Sequence, residues 1–344
     1  MEQPPKKTHG CLWIIVFGLL CLMATGIIAF FTKIHWIFSL LVAVGISVLL
    51  TLKLLGKPSV SSLFKNIGIL FLIFITFRFF LLFLIEFVNI PSPEEVTFTK
   101  EEGVAKTTII EGIDTVTVYS SHRVWKDNYG TTYTGDLTVR EKDFLKLQHH
   151  ISSYKFTSNS NFWGALYNYI ERTDISSLDL VLQNFELIHS EKKLNQMEFA
   201  EMVISCIQDI PYSFVFQEAC LPADRYEPSI RNLLEKCPEC CIGNIKYGIQ
   251  NPVSFLQNLK GDCDTRTVLI YSILKHFNYD VAILNSDFYR HSIIGINLPA
   301  SGIYKPYYGK KYMVWETTAK YYPVGQLPNN FNDITHWNVV LTSK

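Results

Sequence analysis

A cysteine stands where a predicted loop turns into a predicted helix, in the run Gly261-Asp262-Cys263-Asp264. The free N–H groups and the positive dipole end of a helix stabilise a thiolate, which is the nucleophilic form of cysteine. The same N–H groups can hold an oxyanion that forms when a carbonyl is attacked. The position therefore predicts that Cys263 is a nucleophile for acyl transfer.

A cysteine nucleophile needs a partner that shuttles its proton, and His291 stands at the head of a predicted strand. Glu316 follows on the next predicted strand, where its carboxylate could orient the imidazole and stabilise the imidazolium. A helix and two strands would then converge at one point. We predict a catalytic triad of Cys263, His291 and Glu316.

The surrounding pattern predicts the elements that must position these residues. Apolar spacing of three and four residues indicates helices, and runs of β-branched and aromatic residues indicate strands. Helix, strand, strand and strand follow one another closely, which favours an α+β domain with the nucleophile helix packed on an antiparallel sheet. Helices are predicted at 162–171, 178–190, 198–210, 252–259 and 265–277, the three closing strands at 281–285, 292–298 and 311–317, and a small β-rich region at 96–133.

Three motifs together resemble the transglutaminase-like superfamily of cysteine enzymes: 261–264 its nucleophile turn, 290–292 its histidine site, and 315–318 its acid site. The run 207–212 is similar to a helix end that precedes the nucleophile in many members. The resemblance covers roughly 195–320 and is to a bacterial type of member. It implies a papain-like core, a triad of Cys263, His291 and Glu316, and acyl transfer or hydrolysis at peptide or carboxamide bonds. Glu316 stands where members commonly have aspartate.

No cofactor is implied, and we expect no metal ion, because cysteine acyl transfer needs none and the sequence offers no convincing ligand cluster. Some members also use a side chain to donate a hydrogen bond to the oxyanion, and two glutamines are candidates for that role here, Gln250 and Gln257.

Five further cysteines share the C-terminal part of the chain with Cys263. Four of them lie in one loop that shows no clear secondary-structure pattern, and disulfides would cross-link that loop. A zinc site in the same loop is an alternative, although no histidine pair lies nearby. We predict disulfides among Cys220, Cys237, Cys240 and Cys241, and leave Cys206 unpaired.

Apolar runs near the N-terminus predict three membrane-spanning helices, at 11–31, 36–52 and 66–83. A signal peptide is the alternative for the first run. Lysines flank the N-terminus and the second loop, which places the C-terminal domain on the extracytoplasmic side of a multi-pass membrane protein. The predicted domains are a membrane anchor at 1–90, a linker and β-rich region at 91–160, and a transglutaminase-like domain at 161–344.

Lysine and arginine balance aspartate and glutamate at 31 each, so charge gives no argument for a nucleic-acid partner. The expected partners are the lipid bilayer and a peptide or protein substrate. Two functions remain open from the sequence: a membrane-anchored cysteine enzyme, either a protease or amidase or a transglutaminase-type acyltransferase, and a catalytically inactive envelope module that binds proteins through the same fold.

Overall fold

The computed structural model describes residues 10–32, 36–57, 75–76, 78, 103–155 and 161–344. The chain divides into two compact units, Met1–Asn89 and Ile90–Lys344. In the first unit, helices α1 (Gly10–Thr32) and α2 (Trp36–Leu55) pack against each other. The Trp13 indole N–H donates to the Gly56 carbonyl at 3.2 Å, which joins the start of α1 to the end of α2.

No helix among the described residues combines the length and the apolar character that crossing a bilayer requires. The prediction of three spans is therefore wrong, and so is the multi-pass membrane localisation that followed from it. The prediction rested on apolar composition alone. In the structure α1 and α2 pack against each other, and Ala43, Ser47 and Thr51 of α2 are buried. The third predicted span, 66–83, lies outside the described residues except for 75–76 and 78.

The second unit is α+β, as predicted. Three strands come first, the helices follow with two short strands among them, and the five strands of the larger sheet come last. The strands are β1 (Ala105–Glu111), β2 (Asp114–Lys126), β3 (Thr132–Arg140), β4 (Phe214–Val215), β5 (Cys241–Ile242), β6 (Val281–Ser286), β7 (His291–Ile296), β8 (Tyr304–Tyr307), β9 (Lys310–Trp315) and β10 (Asn338–Thr342). The helices are α3 (Glu141–Leu147), α4 (His150–Ser153), α5 (Phe162–Asp174), α6 (Asp179–Lys192), α7 (Gln196–Gln208), α8 (Pro228–Lys236), α9 (Pro252–Asn258) and α10 (Cys263–His276).

Three sheets organise these strands. β1, β2 and β3 form an antiparallel meander, and β4 pairs with β5 in a short parallel ladder. The largest sheet has five antiparallel strands in the order β10-β6-β7-β9-β8. The nucleophile helix α10 packs on β6 and β7 at the centre of that sheet. This is the predicted arrangement of a helix on an antiparallel sheet.

One hydrophobic core joins the meander, the helices and the inner face of the five-stranded sheet. It runs from Trp125 and Val139 through Phe199 and Leu269 to Trp315, all at most 2% exposed. Residues 265–274 of α10 are all buried, and the apolar ones among them pack at the centre of this core. The helix is therefore held on all sides, which fixes its N-terminus in space.

A second, smaller core covers the outer face of the five-stranded sheet. Leu284, Ile293 and Val314 pack there against Trp337, which is fully buried. Trp337 lies in the loop between β9 and β10, and its indole N–H donates to the Phe331 carbonyl at 2.9 Å. The same loop approaches the candidate site from that side, as described below.

The sequence predicted three of the five strands in this sheet. β8 was missed because its short run contains Pro306, which weakens a strand pattern. β10 was missed because it pairs at the far edge with β6, an arrangement that no local pattern encodes. The five predicted helices correspond to α5, α6, α7, α9 and α10 within a few residues, whereas α8 was not predicted. The predicted linker lies mostly outside the described residues, which resume at 103.

Candidate functional site

Cys263 is the first residue of α10, at the turn that the sequence indicated. The Asp262 carboxylate caps the helix by accepting a hydrogen bond from the Thr265 N–H at 3.1 Å. Gly261 is required before it, since a Cβ there would lie 2.9 Å from the Phe255 ring. The cap and the tight turn place the Cys263 side chain at the helix N-terminus, where it is 7% exposed.

His291 and Glu316 come from neighbouring strands. His291 begins β7 and Glu316 directly follows β9, and these strands pair antiparallel with Ile294 opposite Trp315. The two side chains therefore meet at one end of the pair. The His291 Nε2–H donates to Glu316 Oε2 at 3.1 Å, and the ring lies close enough to the Cys263 thiol to lower its pKa. Since Nε2 is engaged by the carboxylate, Nδ1 is the ring nitrogen left for the thiol.

The Glu316 carboxylate is fully buried and fully hydrogen-bonded. Its Oε1 accepts from the N–H groups of Thr317 and Thr318 at 3.0 and 2.8 Å and from the Thr318 hydroxyl at 2.6 Å. Burial alone would raise the pKa of Glu316, but His291 and these donors outweigh burial and lower it to about 2. The carboxylate is therefore ionised at neutral pH and reaches the imidazole, although it is longer than an aspartate.

The thiol and the imidazole differ in how their surroundings act on them. Burial lowers the pKa of His291, but the charges of Glu316 and Cys263 outweigh burial and raise it well above its ordinary value. For Cys263, burial and then the Asp264 charge raise the pKa, while His291 opposes them and lowers it. The net direction for the thiol is upward, opposite to what the helix N-terminus alone would give. His291 is the group that favours the thiolate.

Asp264 is a charged neighbour of the nucleophile that the sequence analysis did not assign to a role. Its Oδ1 accepts from the Tyr167 hydroxyl at 2.7 Å, and that hydroxyl accepts from the Asn285 amide at 2.7 Å. Ser292 also acts on this carboxyl, since it lowers the pKa of Asp264 against the effect of burial. Because these partners come from α5, β6 and β7, they fix Asp264 beside the triad.

We expect Asp264→Asn to speed alkylation of Cys263 by iodoacetamide at pH 7, by a few-fold to about tenfold. The amide keeps an acceptor for Tyr167 but removes the charge that raises the pKa of the thiol. The measurement is the alkylation rate at Cys263, followed by peptide mapping. An unchanged or slower rate would mean that Asp264 does not oppose the thiolate. The control is Asp224→Asn, an exposed carboxylate on the loop before α8.

Two buried side chains brace the site from behind. The Arg266 guanidinium donates to the carbonyls of Gly261, Ile207 and Pro211 at 2.9, 2.9 and 2.5 Å, which ties α10 to the end of α7. The Gln208 amide donates to the Glu316 carbonyl at 2.7 Å. The run 207–212, which is similar to the helix end before the nucleophile in the transglutaminase-like superfamily, is thus the segment that joins the nucleophile helix to the acid.

The site opens into a cavity of about 1030 Å³ that exposes Cys263 and His291. The Phe331 ring forms part of the cavity wall and stacks on the His291 ring, with the two ring centroids 5.0 Å apart. About a third of the residues that line the cavity are aromatic. The aromatic lining residues include Tyr212, Phe214, Phe216, Tyr226, Tyr289 and Phe331.

Two disulfides hold the opposite wall of the cavity. They join Cys220 to Cys241 and Cys237 to Cys240, so the four predicted cysteines are paired, while Cys206 is free and buried. The pairing uses the sulfur atoms that the alternative zinc site would have needed. β4 and β5 meet here, and the Phe214 N–H donates to the Cys240 carbonyl at 2.9 Å. The disulfides thus restrain the segment that carries Phe214 and Phe216.

The predicted oxyanion donors lie elsewhere. The Gln250 amide donates to the Lys260 carbonyl at 2.5 Å, and neither Gln250 nor Gln257 is among the described residues that line the cavity. Their proximity in sequence to the nucleophile did not translate into proximity in space. Of the predicted residues, the structure brings together Cys263, His291 and Glu316.

Comparisons with known proteins give no relative for this chain: no protein-family model, no curated protein and no solved structure matches it. The resemblance to the transglutaminase-like superfamily therefore rests on the three motifs and remains a prediction.

Proposed function

We propose that the chain is a cysteine enzyme that transfers or hydrolyses acyl groups at peptide or carboxamide bonds. The observation that supports this most directly is the relay of contacts from the Cys263 thiol to the His291 ring and on to the Glu316 carboxylate at 3.1 Å. A nucleophile, a base and an oriented acid in one chain are the parts that covalent acyl transfer needs. They open into one cavity, which gives a substrate access.

Each residue has a distinct task in this reaction. Neutral His291 takes the proton of Cys263, and the sulfur attacks the carbonyl carbon to form a C–S bond. The C–N bond then breaks, and His291 returns the proton to the departing amine. Water or a second amine attacks the resulting thioester and restores the thiol. Glu316 holds the ring and stabilises the imidazolium that forms during both acylation and deacylation of Cys263.

The raised pKa of His291 has a consequence for pH. The imidazole must be neutral to accept the thiol proton, so the reactive fraction of the enzyme grows as the pH rises through that pKa. The pKa of the Cys263 thiol is raised as well. The proposed enzyme is therefore most active on the alkaline side of neutrality.

The cavity favours a peptide over a very small amide. A volume of about 1030 Å³ holds several amino-acid residues, and the aromatic walls offer apolar surface for their side chains. Four acidic side chains and one arginine line the cavity. The arginine, Arg290, forms an ion pair with Glu227 at 3.0 Å.

The test of this proposal is a search for a thioester on Cys263. Full-length protein is mixed with a library of peptides and peptide carboxamides in water enriched in ¹⁸O, with and without a primary amine. Acid-quenched protein is then mapped by mass spectrometry. We expect an acyl adduct on Cys263 that is absent from Cys263→Ala, and ¹⁸O or amine in the product tells hydrolysis from transfer. Turnover that persists in Cys263→Ala would overturn the proposal.

A second function is a binding module without catalysis, and one observation favours it. The thiol is 7% exposed and its pKa is raised, which are properties of an inert buried cysteine. Under this alternative the aromatic cavity still binds peptides, but no adduct forms. Peptides that bind full-length wild type and full-length Cys263→Ala with equal affinity, and that are recovered intact, would support the binding module.

A further inference from the structure

Tyr212 sits beside the nucleophile on the wall of the cavity. The backbone at this point is tied to the nucleophile turn, because the Ser213 N–H donates to the Gly261 carbonyl at 3.3 Å. Its ring lies 5.6 Å from the guanidinium carbon of Arg266, one turn along α10 from Cys263. The ring also packs edge to face on Phe214 with centroids 5.2 Å apart. Its position is therefore fixed from three sides.

The hydroxyl of Tyr212 is the part that these contacts do not use. It has no hydrogen-bond partner within the part of the chain that the structure describes. Tyr212 is only partly buried and its hydroxyl is open to the cavity, so the hydroxyl is free to donate to a group bound there. Burial, followed by the charge of Cys263, raises the pKa of Tyr212 well above its ordinary value. The hydroxyl therefore stays protonated and remains a donor.

We propose that the Tyr212 hydroxyl donates a hydrogen bond to the oxyanion that forms when Cys263 attacks a carbonyl. This inference rests on the proposed acyl-transfer function and supplies the side-chain donor that neither Gln250 nor Gln257 provides. The backbone N–H of Cys263, at the start of α10, is the second donor.

The oxyanion forms in one step and disappears in the next. As the C–S bond forms, the π electron pair of the carbonyl moves onto oxygen, and Tyr212 donates to that charge. When the tetrahedral intermediate collapses, the pair returns and the bond to the leaving group breaks. A donor that is preorganised and unpaired in the resting site is worth more to this charge than to a neutral carbonyl.

The experiment compares two reactions of the same thiol in full-length protein. p-Nitrophenyl acetate acylates Cys263 through an oxyanion, whereas iodoacetamide alkylates it without one. The quantity measured is the ratio of the two rates at Cys263, by p-nitrophenol release and by peptide mapping. Tyr212→Phe keeps the ring and its packing on Arg266. Tyr308→Phe, at an 89% exposed turn residue, is the matched control.

We expect the ratio of acylation to alkylation to fall by about 100-fold in Tyr212→Phe and to stay at the wild-type value in Tyr308→Phe. A ratio within twofold of wild type in Tyr212→Phe, with rapid alkylation of the wild-type thiol, would overturn this inference alone. Alkylation of wild-type Cys263 no faster than that of His291→Ala would instead overturn the proposed function. The two failures are therefore distinguishable.

Discussion

His291→Ala is expected to slow acylation of Cys263 by p-nitrophenyl acetate by about 1000-fold at pH 8, because general acid–base catalysis contributes on this scale. The variant loses the base that takes the thiol proton. It also loses the group that lowers the pKa of the thiol against the effects of burial and Asp264. The measurement is the burst of p-nitrophenol, with Cys263→Ala subtracted as background.

The control for this variant is His276→Ala, at the other end of α10, where the side chain is exposed. It should retain the wild-type burst. If His291→Ala acylates within tenfold of wild type, the histidine is not the base, and the contact between the ring and the thiol is structural.

The second large effect concerns stability, and it falls on the buried acid. We expect Glu316→Gln to lower the free energy of unfolding by about 3 kcal/mol at pH 7, since a pKa held at about 2 in the fold, against 4.5 unfolded, is worth that much. The amide cannot pair with His291 or accept all four hydrogen bonds that Glu316 accepts. Urea denaturation at a series of pH values measures the difference between variant and wild type.

The direction of the pH dependence follows from the lowered pKa. Stability from an acid with a lowered folded pKa is fully present above the unfolded value and is lost as the pH falls through the folded one. The difference between Glu316→Gln and wild type should therefore be largest between about pH 5 and the raised pKa of His291, and should shrink towards pH 2 and, as the imidazole loses its charge, towards alkaline pH. A difference that does not change with pH would show that the loss comes from packing. Glu191→Gln, at an exposed position on α6, should match wild type throughout.

Much of the site could be predicted because it lies at element boundaries that leave local signals. A glycine and an aspartate before a helix marked Cys263, and strand patterns marked His291 and the position of Glu316. The reach of Glu316 could not be predicted, because it depends on how β7 and β9 pair and on the donors at Thr317 and Thr318. Only the folded arrangement sets those distances.

The residues that tune the site were missed for a related reason. Tyr167 on α5 and Asn285 on β6 are distant from the nucleophile in sequence and meet Asp264 only through the fold. The pKa of the thiol was predicted to fall because the helix terminus is a local feature. Burial and the charge of Asp264 reverse that direction, and neither is encoded by spacing.

The other predictions failed because composition alone does not show which residues are in contact. The apolar N-terminal runs predicted membrane spans that the described helices do not support. The glutamines near the nucleophile predicted an oxyanion donor, but the Gln250 amide is used by the Lys260 carbonyl. By contrast, the four crowded cysteines predicted a stapled loop correctly, because disulfides need only proximity that a short loop already gives.

The most direct test of the central claim is the pH dependence of iodoacetamide alkylation at Cys263 in three full-length proteins: wild type, His291→Ala and Asp264→Asn. His291 lowers the pKa of the thiol and Asp264 raises it. The midpoint of the alkylation profile should therefore lie highest in His291→Ala, intermediate in wild type and lowest in Asp264→Asn. Three superimposable profiles would contradict the account, because the thiol would then titrate without regard to the groups proposed to control it.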